Sequence, residues 1–370
     1  MNILMVGGTG TISYDATKFF LEKGHKVFLL NRGNRNNLKH ENLQYIIGDA
    51  NNNESLNNAL EGKLFDVILD FIIFTKEQLE KRLAVYNGHC KQFVFISSAT
   101  AYKLIPDTIT EETPLGNDNW KYSKDKRECE EYLQQNSKEF DFSFTIVRPY
   151  ITYDDRRIPF PVITKESYYT LLDRINHEKP VIVCGDGTNK LTLTNTKDFA
   201  VALEGLLLNS KAYNQAFHIT GDCVTSWNEI VDIISKKLKK NVKVVYIPIS
   251  KLAEYYPSEK FELLYDKSCD HVFDNSKICD AVPDFKTTIS VEEGLNKTID
   301  NLLTITKWQK IDYIWNDIID TILEKYQNEA GNIKYNASFK SKLNYWIFQK
   351  SNIKILKKVI KKYYKLKGGV

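Results

Sequence analysis

Residues 1–13 read MNILMVGGTGTIS. Five apolar-rich residues, NILMV, run directly into a glycine turn, and a helical pattern, DATKFFLEKG, follows. A strand that ends in closely spaced glycines and hands over to a helix is the opening of a dinucleotide fold. The glycines make the tight turn and let a pyrophosphate approach backbone amides, while the helix N-terminus supplies partial positive charge. Gly7 and Gly10 take the first two glycine positions, and Thr11 and Ile12 open the helix. Ser13 stands at the third glycine position, which weakens the case for close packing of helix on strand.

Working outward, KVFLL (26–30), LQYII (43–47), DVILDFIIF (66–74), QFVFIS (92–97) and FSFTIV (142–147) are further short apolar runs. Amphipathic segments such as KEQLEKRLAVYNG separate them. Continuous apolar strands alternating with helices indicate a parallel sheet covered on both faces. The expected fold class is therefore α/β, a Rossmann-type doubly wound sheet. AFHIT (216–220) reads as one more buried strand, and capping-box pairs Ser226/Glu229 and Ser290/Glu293 are placed to open helices. The expected division is a dinucleotide-binding domain at 1–160 plus about 190–222, and a smaller α+β substrate lobe at about 161–189 and 223–325. A basic helical tail follows at 326–370.

The chain has 370 residues, 42% of them hydrophobic, and a net charge of +4. Residues 331–370 hold eleven of the 51 basic residues and none of the 47 acidic ones, so the remainder carries about −7. An acidic body disfavours nucleic acid as its partner. Six scattered cysteines without a CxxC pair, six dispersed histidines and no 18-residue apolar run point to a reduced, cytoplasmic chain without a zinc site or a spanning helix. The start lacks the features of a signal peptide.

The second strand ends in LLNRGNRN. A carboxylate there commonly meets the ribose 2′-hydroxyl of NAD; Asn31, Arg32 and Arg35 stand instead. The arginines suit a 2′-phosphate, a lean toward NADP, or are solvated loop charges. Asp49 and Ala50, after the third strand, are placed to line the adenine side or form a plain turn.

WKYSKDKRECEEYL (120–133) sets Tyr122 four residues before Lys126, on one helix face. A phenol titrates near pH 10, and an adjacent ammonium favours its phenolate, which makes a proton shuttle nearer working pH. SSATAY (97–102) ends the preceding strand and puts the Ser98 hydroxyl at the mouth of the crevice where such sheets bind ligands.

GGTG, SSATAY, YSKDK and VRPY occur in the order and spacing of the extended short-chain dehydrogenase/reductases. The chain resembles their NAD-dependent epimerase/dehydratase branch, which modifies nucleotide sugars, over roughly residues 1–300. The resemblance extends to GDGTNKLTLTNTKDFA (185–200) and AFHITGD (216–222). It implies a catalytic set of Ser98, Tyr122 and Lys126, with Lys126 also holding the nicotinamide ribose and Pro149, Tyr150 and Ile151 beside the nicotinamide. It implies a nucleotide-sugar substrate contacted by Ser98, Ala99, Thr100 and Lys190, a role in polysaccharide biosynthesis, and a homodimer paired through helices 76–87 and 122–134. Ala99 and Thr100 replace the acidic pair of the 4,6-dehydratases, so dehydration is disfavoured. Leu191 stands where an arginine usually grips the diphosphate, with Lys190 beside it. Epimerase and ketoreductase remain alternatives. A catalytically inactive, cofactor-sensing or RNA-binding relative is the third, with the tail as a nucleic-acid arm. Asp198 is expected to cap or pack a helix.

The tail, SNIKILKKVIKKYYKLK (351–367), places Ile353, Leu356, Ile360 and Tyr363 on one stripe among lysines. It fits either an amphipathic helix on an anionic membrane or a helix docked on the acidic body.

Overall fold

The computed structural model describes residues 1–33, 38–330 and 335–370. Seven strands form one sheet: β1 (Asn2–Val6), β2 (Lys26–Asn31), β3 (Leu43–Ile47), β4 (Phe65–Asp70), β5 (Cys90–Ile96), β6 (Ser143–Pro149) and β7 (Gln215–Ile219). All pairs are parallel, in the order β3-β2-β1-β4-β5-β6-β7. The order reverses between β1 and β4, where Val6 faces Asp70, and such a switch point opens a crevice at the strands' carboxyl ends. The expected α/β doubly wound sheet is present.

Side-chain alternation on β1 shows why both faces need cover. Ile3 and Met5 join one buried layer with Phe20 and Ala16 of α1 (Thr11–Glu22) and with Phe199 and Leu203 of the helix Thr196–Gly205. Leu4 and Val6 join the other layer with residues of α2 (Asn53–Leu60), α3 (Lys76–Tyr86) and α4 (Lys121–Gln135), among them Leu56, Leu79, Leu83 and Leu133. Each fully buried Leu or Phe contributes about 1.5–3 kcal/mol relative to exposure.

The chain divides into two compact units: Met1–Asp154 with Thr192–Val224 and His271–Ser290, and Asp155–Leu191 with Thr225–Asp270 and Val291–Val370. In the second, Val181–Cys184 pairs in parallel with Val244–Ile247. Ser226 caps the helix Trp227–Leu238 through the Glu229 amide, and Glu229 returns a bond to the Ser226 amide. Helices Val291–Thr304, Tyr313–Ala330, Phe339–Tyr345 and Lys354–Leu366 complete this unit. Among the described residues no helix is long and apolar enough to cross a membrane.

The last helix corrects one expectation. The stripe Ile353, Leu356, Ile360 and Tyr363 is divided. Leu356 and Ile360 are half-buried together with the buried Tyr364, whereas Ile353 and Tyr363 stand exposed. The apolar arc of the helix is wide enough to serve two sides, and the predicted stripe straddles its middle.

Candidate functional site

The glycine turn leaves β1 with Gly7 at φ +84°, a left-handed conformation that favours glycine. A Cβ there would lie 2.7 Å from Ile72 Cγ2, and one on Gly8 would lie 2.4 Å from Leu29 Cδ2. Gly8, not singled out from the sequence, therefore carries as strict a packing demand as Gly7. At Gly10 a Cβ would meet only Ser13 Oγ, at 3.4 Å, so the space before the helix N-terminus is open. Ser13, at the third glycine position, ties the turn. Its buried hydroxyl donates to Gly7 O at 2.7 Å and accepts from the Gly10 amide at 2.8 Å, tying the two ends of the loop. Thr11 and Ile12 form the first turn of α1.

Asn31 ends β2. Its Oδ1 accepts from the Gly33 amide at 2.7 Å, while its buried Nδ2 has no hydrogen-bond partner among the described residues. A buried amide group left unpaired is costly, and a ligand oxygen would satisfy it. Arg32 is exposed, and Arg35 lies outside the described residues. Asp49 receives the Asn51 amide at 2.9 Å and donates its own amide to Ser55 Oγ; Ala50 is buried. Open cradle, helix start and orphaned amide together fit a dinucleotide.

Asp70, at the end of β4, shapes the next wall. Its Oδ1 accepts from the Ile72 amide at 2.9 Å. Its Oδ2 accepts from Arg82 Nη1 at 2.5 Å and Tyr86 Oη at 2.7 Å. Burial opposes the Arg82 charge, but the carboxylate beside it holds its pKa above the ordinary value. Burial pushes the Tyr86 phenol far up, and Asp70 adds to the rise. The turn pinned in this way aims Ile73 O at Lys126.

Lys126 is 2% exposed. Its Nζ donates to Ile73 O at 2.6 Å and to Ile96 O, at the end of β5, at 2.7 Å. The rings of Phe95, Phe74 and Tyr122 lie 5.0, 5.1 and 5.9 Å from it. An ammonium has three protons, and two are committed to carbonyls. Burial draws the Lys126 pKa down to about 8, against the pull of Cys129, Asp70 and Glu130. Tyr122 is half-buried, one turn before it, with its ring tilted against Trp120 at 5.2 Å.

Ser98 caps the short turn Ala99–Ala101, against which α4 packs. Its Oγ lies 2.9 Å from Thr100 Oγ1, and Asn117 Nδ2 holds Thr100 O at 3.0 Å. Ser98, Ala99 and Thr100 are all buried. Pro149 ends β6; Tyr150 and Ile151 follow it, buried, and Tyr150 stacks on His271 at 4.6 Å. Lys190 belongs to the second unit, exposed, its amide bonded to Asp270 Oδ1 at 2.8 Å; Leu191 is buried. Asp198 receives the Thr288 and Ile289 amides and the Thr288 hydroxyl, a packing role.

A buried polar chain behind α4 was not foreseen. Glu130 accepts a short bond from Ser97 Oγ and binds Arg148 through Nε at 3.0 Å and Nη2 at 2.6 Å. Arg148 Nη1 donates to Tyr102 Oη at 2.8 Å, and Tyr102 Oη meets His218 Nδ1 at 3.1 Å. The sequence held one signal for it: Glu130 follows Tyr122 and Lys126 at the same four-residue step. Among the described residues no His/Cys/Asp/Glu group could hold a metal.

Solved structures share this fold. Pal from Bacillus thuringiensis is 18% identical, with a TM-score of 0.67 over 82% of this chain and 100% of its own. The dTDP-glucose 4,6-dehydratase of Bacillus anthracis, in complex with NAD, is 21% identical, with a TM-score of 0.67 over 83% and 98%. The UDP-glucuronic acid 4-epimerase of Bacillus cereus, also with NAD, is 19% identical, with a TM-score of 0.67 over 84% and 100%. In sequence, the chloroplast stem-loop binding protein of 41 kDa b of Arabidopsis thaliana is 24% identical over 270 residues, 70% of this chain and 66% of that protein. The profile of the NAD dependent epimerase/dehydratase family matches residues 3–219, well over half the chain. With the glycine turn, the switch-point crevice and the Tyr122/Lys126 pair in that same stretch, the chain belongs to the NAD dependent epimerase/dehydratase family.

Proposed function

We propose that the chain is an NAD(P)-dependent epimerase or ketoreductase acting on a nucleotide-activated sugar or related polyol. The observation that carries this reading is Lys126: an ammonium buried beneath a tyrosine ring, fixed by two carbonyls, with one proton uncommitted. Burying a charge costs free energy, which the two carbonyl bonds and the flanking rings offset only in part. In a proton-transfer site the same ammonium is placed to stabilise a phenolate.

Gly7, Gly10, Thr11 and Ile12 would receive the pyrophosphate, and Asn31 with Arg32 the adenosine ribose. Asp49 and Ala50 would line the adenine. Lys126 would hold the nicotinamide ribose, and Pro149, Tyr150 and Ile151 would flank the ring. When bound, the nicotinamide accepts and returns a hydride at the substrate's carbinol carbon. Tyr122 takes the hydroxyl proton as the hydride leaves and restores it on reduction. Lys126 stabilises the phenolate between these events. Ser98 donates to the same oxygen, held at its angle by Thr100. A keto-sugar that turns over before reduction yields an epimer; one supplied from solution is simply reduced. Ala99 and Thr100 offer no carboxyl to eliminate water. Asn31 in place of a carboxylate leaves room for a 2′-phosphate, so NADP is accepted alongside NAD.

Tyr122→Phe tests the assignment. Turnover with keto-sugar or nucleotide-sugar substrates is expected to fall about 10²–10⁴-fold, with cofactor binding retained. Near-normal turnover refutes it. A second reading, a catalytically silent RNA-binding protein, is favoured by the likeness to the Arabidopsis stem-loop binding protein. Absence of hydride transfer across keto-sugars, together with salt-sensitive binding of stem-loop RNA, would establish it instead.

A further inference from the structure

Fifteen large apolar side chains stand exposed among the described residues, and eight of them lie beyond residue 338. They are not scattered. Phe339, Leu343 and Trp346 follow one another at steps of four and three along the helix Phe339–Tyr345 and its one-turn continuation, 83%, 46% and 50% exposed. Ile355, Val359 and Leu366 share one side of the helix Lys354–Leu366, 77%, 58% and 80% exposed.

The two helices are antiparallel neighbours. Lys340 Nζ lies 4.9 Å from the Tyr364 ring, Asn344 Nδ2 donates to Tyr364 Oη at 2.9 Å, and Lys357 Nζ reaches Phe348 O at 3.3 Å. Their inner sides are anchored by other residues. Ser341, Asn344 and Tyr364 all bond Asp317, and Tyr345 Oη donates to Tyr255 O at 2.6 Å. The exposed apolar stripes are not among these anchors. The described residues 335–370 carry ten lysines, no arginine and no acidic residue.

We propose that these paired helices form a docking surface for a bilayer rich in anionic phospholipid. The stripes sink to headgroup depth and the lysines meet lipid phosphates. The composition selects this partner. Ile355, Val359 and Leu366 gain free energy in acyl chains, Phe339 and Trp346 suit the headgroup boundary, and the arginine that helps grip nucleic acid is missing from residues 335–370. Although Lys342 and Lys361 lie beside Glu324 and Glu166, the lysine excess on these helices complements a negative surface and repels a second copy of the same patch. The surface is independent of the catalytic assignment.

Flotation of the full chain with phosphatidylglycerol-containing vesicles, against pure phosphatidylcholine vesicles, tests the proposal. The wild type should float only with the anionic vesicles and be released by high salt. Combining Ile355→Ser, Val359→Ser and Leu366→Ser, all at exposed positions, should weaken partition on the order of a hundredfold while the melting temperature holds. Lys358→Glu with Lys362→Glu should abolish flotation. Trp346 emission, read as the difference from Trp346→Phe, should shift to the blue on vesicle binding. No flotation of the wild type overturns the proposal. So does flotation that survives the triple serine change. Self-association lost in the triple variant without vesicle binding would make the patch a dimer interface, and RNA binding without vesicle binding would make it a nucleic-acid arm; either result overturns the proposal.

Discussion

Lowering the pH from about 7 to about 4 presses a second proton onto His218, and the surroundings of that ring set what this costs. His218 lies in β7 with no exposed surface. Its Nε2 lies 2.7 Å from Asp274 O, which only accepts, so Nε2 carries the proton. Nδ1 must then accept from Tyr102 Oη, whose oxygen in turn accepts from Arg148. An added proton at Nδ1 breaks this sequence. Burial accordingly draws the His218 pKa to about 4, with the Arg148 and Lys277 charges pulling the same way and Asp274 opposing. In the unfolded chain the ring titrates near pH 6.5. A base with a depressed folded pKa contributes full stability above the unfolded value and loses it as pH falls toward the folded one. The gap of about 2.5 units, at about 1.4 kcal/mol each, corresponds to about 3 kcal/mol lost by pH 4. Glu111, with Oε1 3.6 Å from Nδ1, works against this: burial raises its pKa, so its protonation on acidification favours the fold. Subtracting a His218→Gln variant, which keeps a donor toward Asp274 O, isolates the ring's share. Urea denaturation of both proteins, followed by tryptophan fluorescence from pH 7 to 4, should show wild type losing about 3 kcal/mol relative to the variant. A difference that stays flat across that range refutes the reasoning.

Glu130→Gln should cost about 3–5 kcal/mol in thermal or chemical denaturation, because it strands the Arg148 guanidinium in the interior. Replacing both residues by methionine should cost less than that single change. Gly7→Ala meets Ile72 at 2.7 Å with φ at +84°, so it should lower stability by about 1–3 kcal/mol and impair NAD retention, measured by absorbance of the purified protein. For Lys126 the sign runs toward alkali. Its folded pKa of about 8 lies below the unfolded value near 10.4, so wild type should gain about 3 kcal/mol relative to Lys126→Met as pH rises through that interval. A constant difference would show that the ammonium is not held as described.

The seven strands were legible because a parallel sheet buried on both faces writes continuous apolar runs, and KVFLL or FSFTIV could hardly be anything else. The glycine turn and the Tyr122/Lys126 pair were legible because both depend on local spacing. What depends on distant partners was not. Nothing local in GGTGTIS says that Ser13 would tie the loop at Gly7 and Gly10. Asp70 and Arg82, or Glu130 and Arg148, are ordinary charges until the sheet brings them together in its interior. The tail was half legible: its period gave the helix, but only packing shows that Leu356 and Ile360 turn inward while Ile355 and Val359 remain outside.

Lys126 has one consequence for how long a ligand stays. A lysine swinging free at a binding site must give up roughly 2 kcal/mol of rotamer freedom each time a partner arrives. Here the two backbone carbonyls stop that swinging when the chain folds. The ordering is complete before any encounter, so a dinucleotide that met this side chain would keep nearly all of the attraction it gained, and its departure would be correspondingly slow.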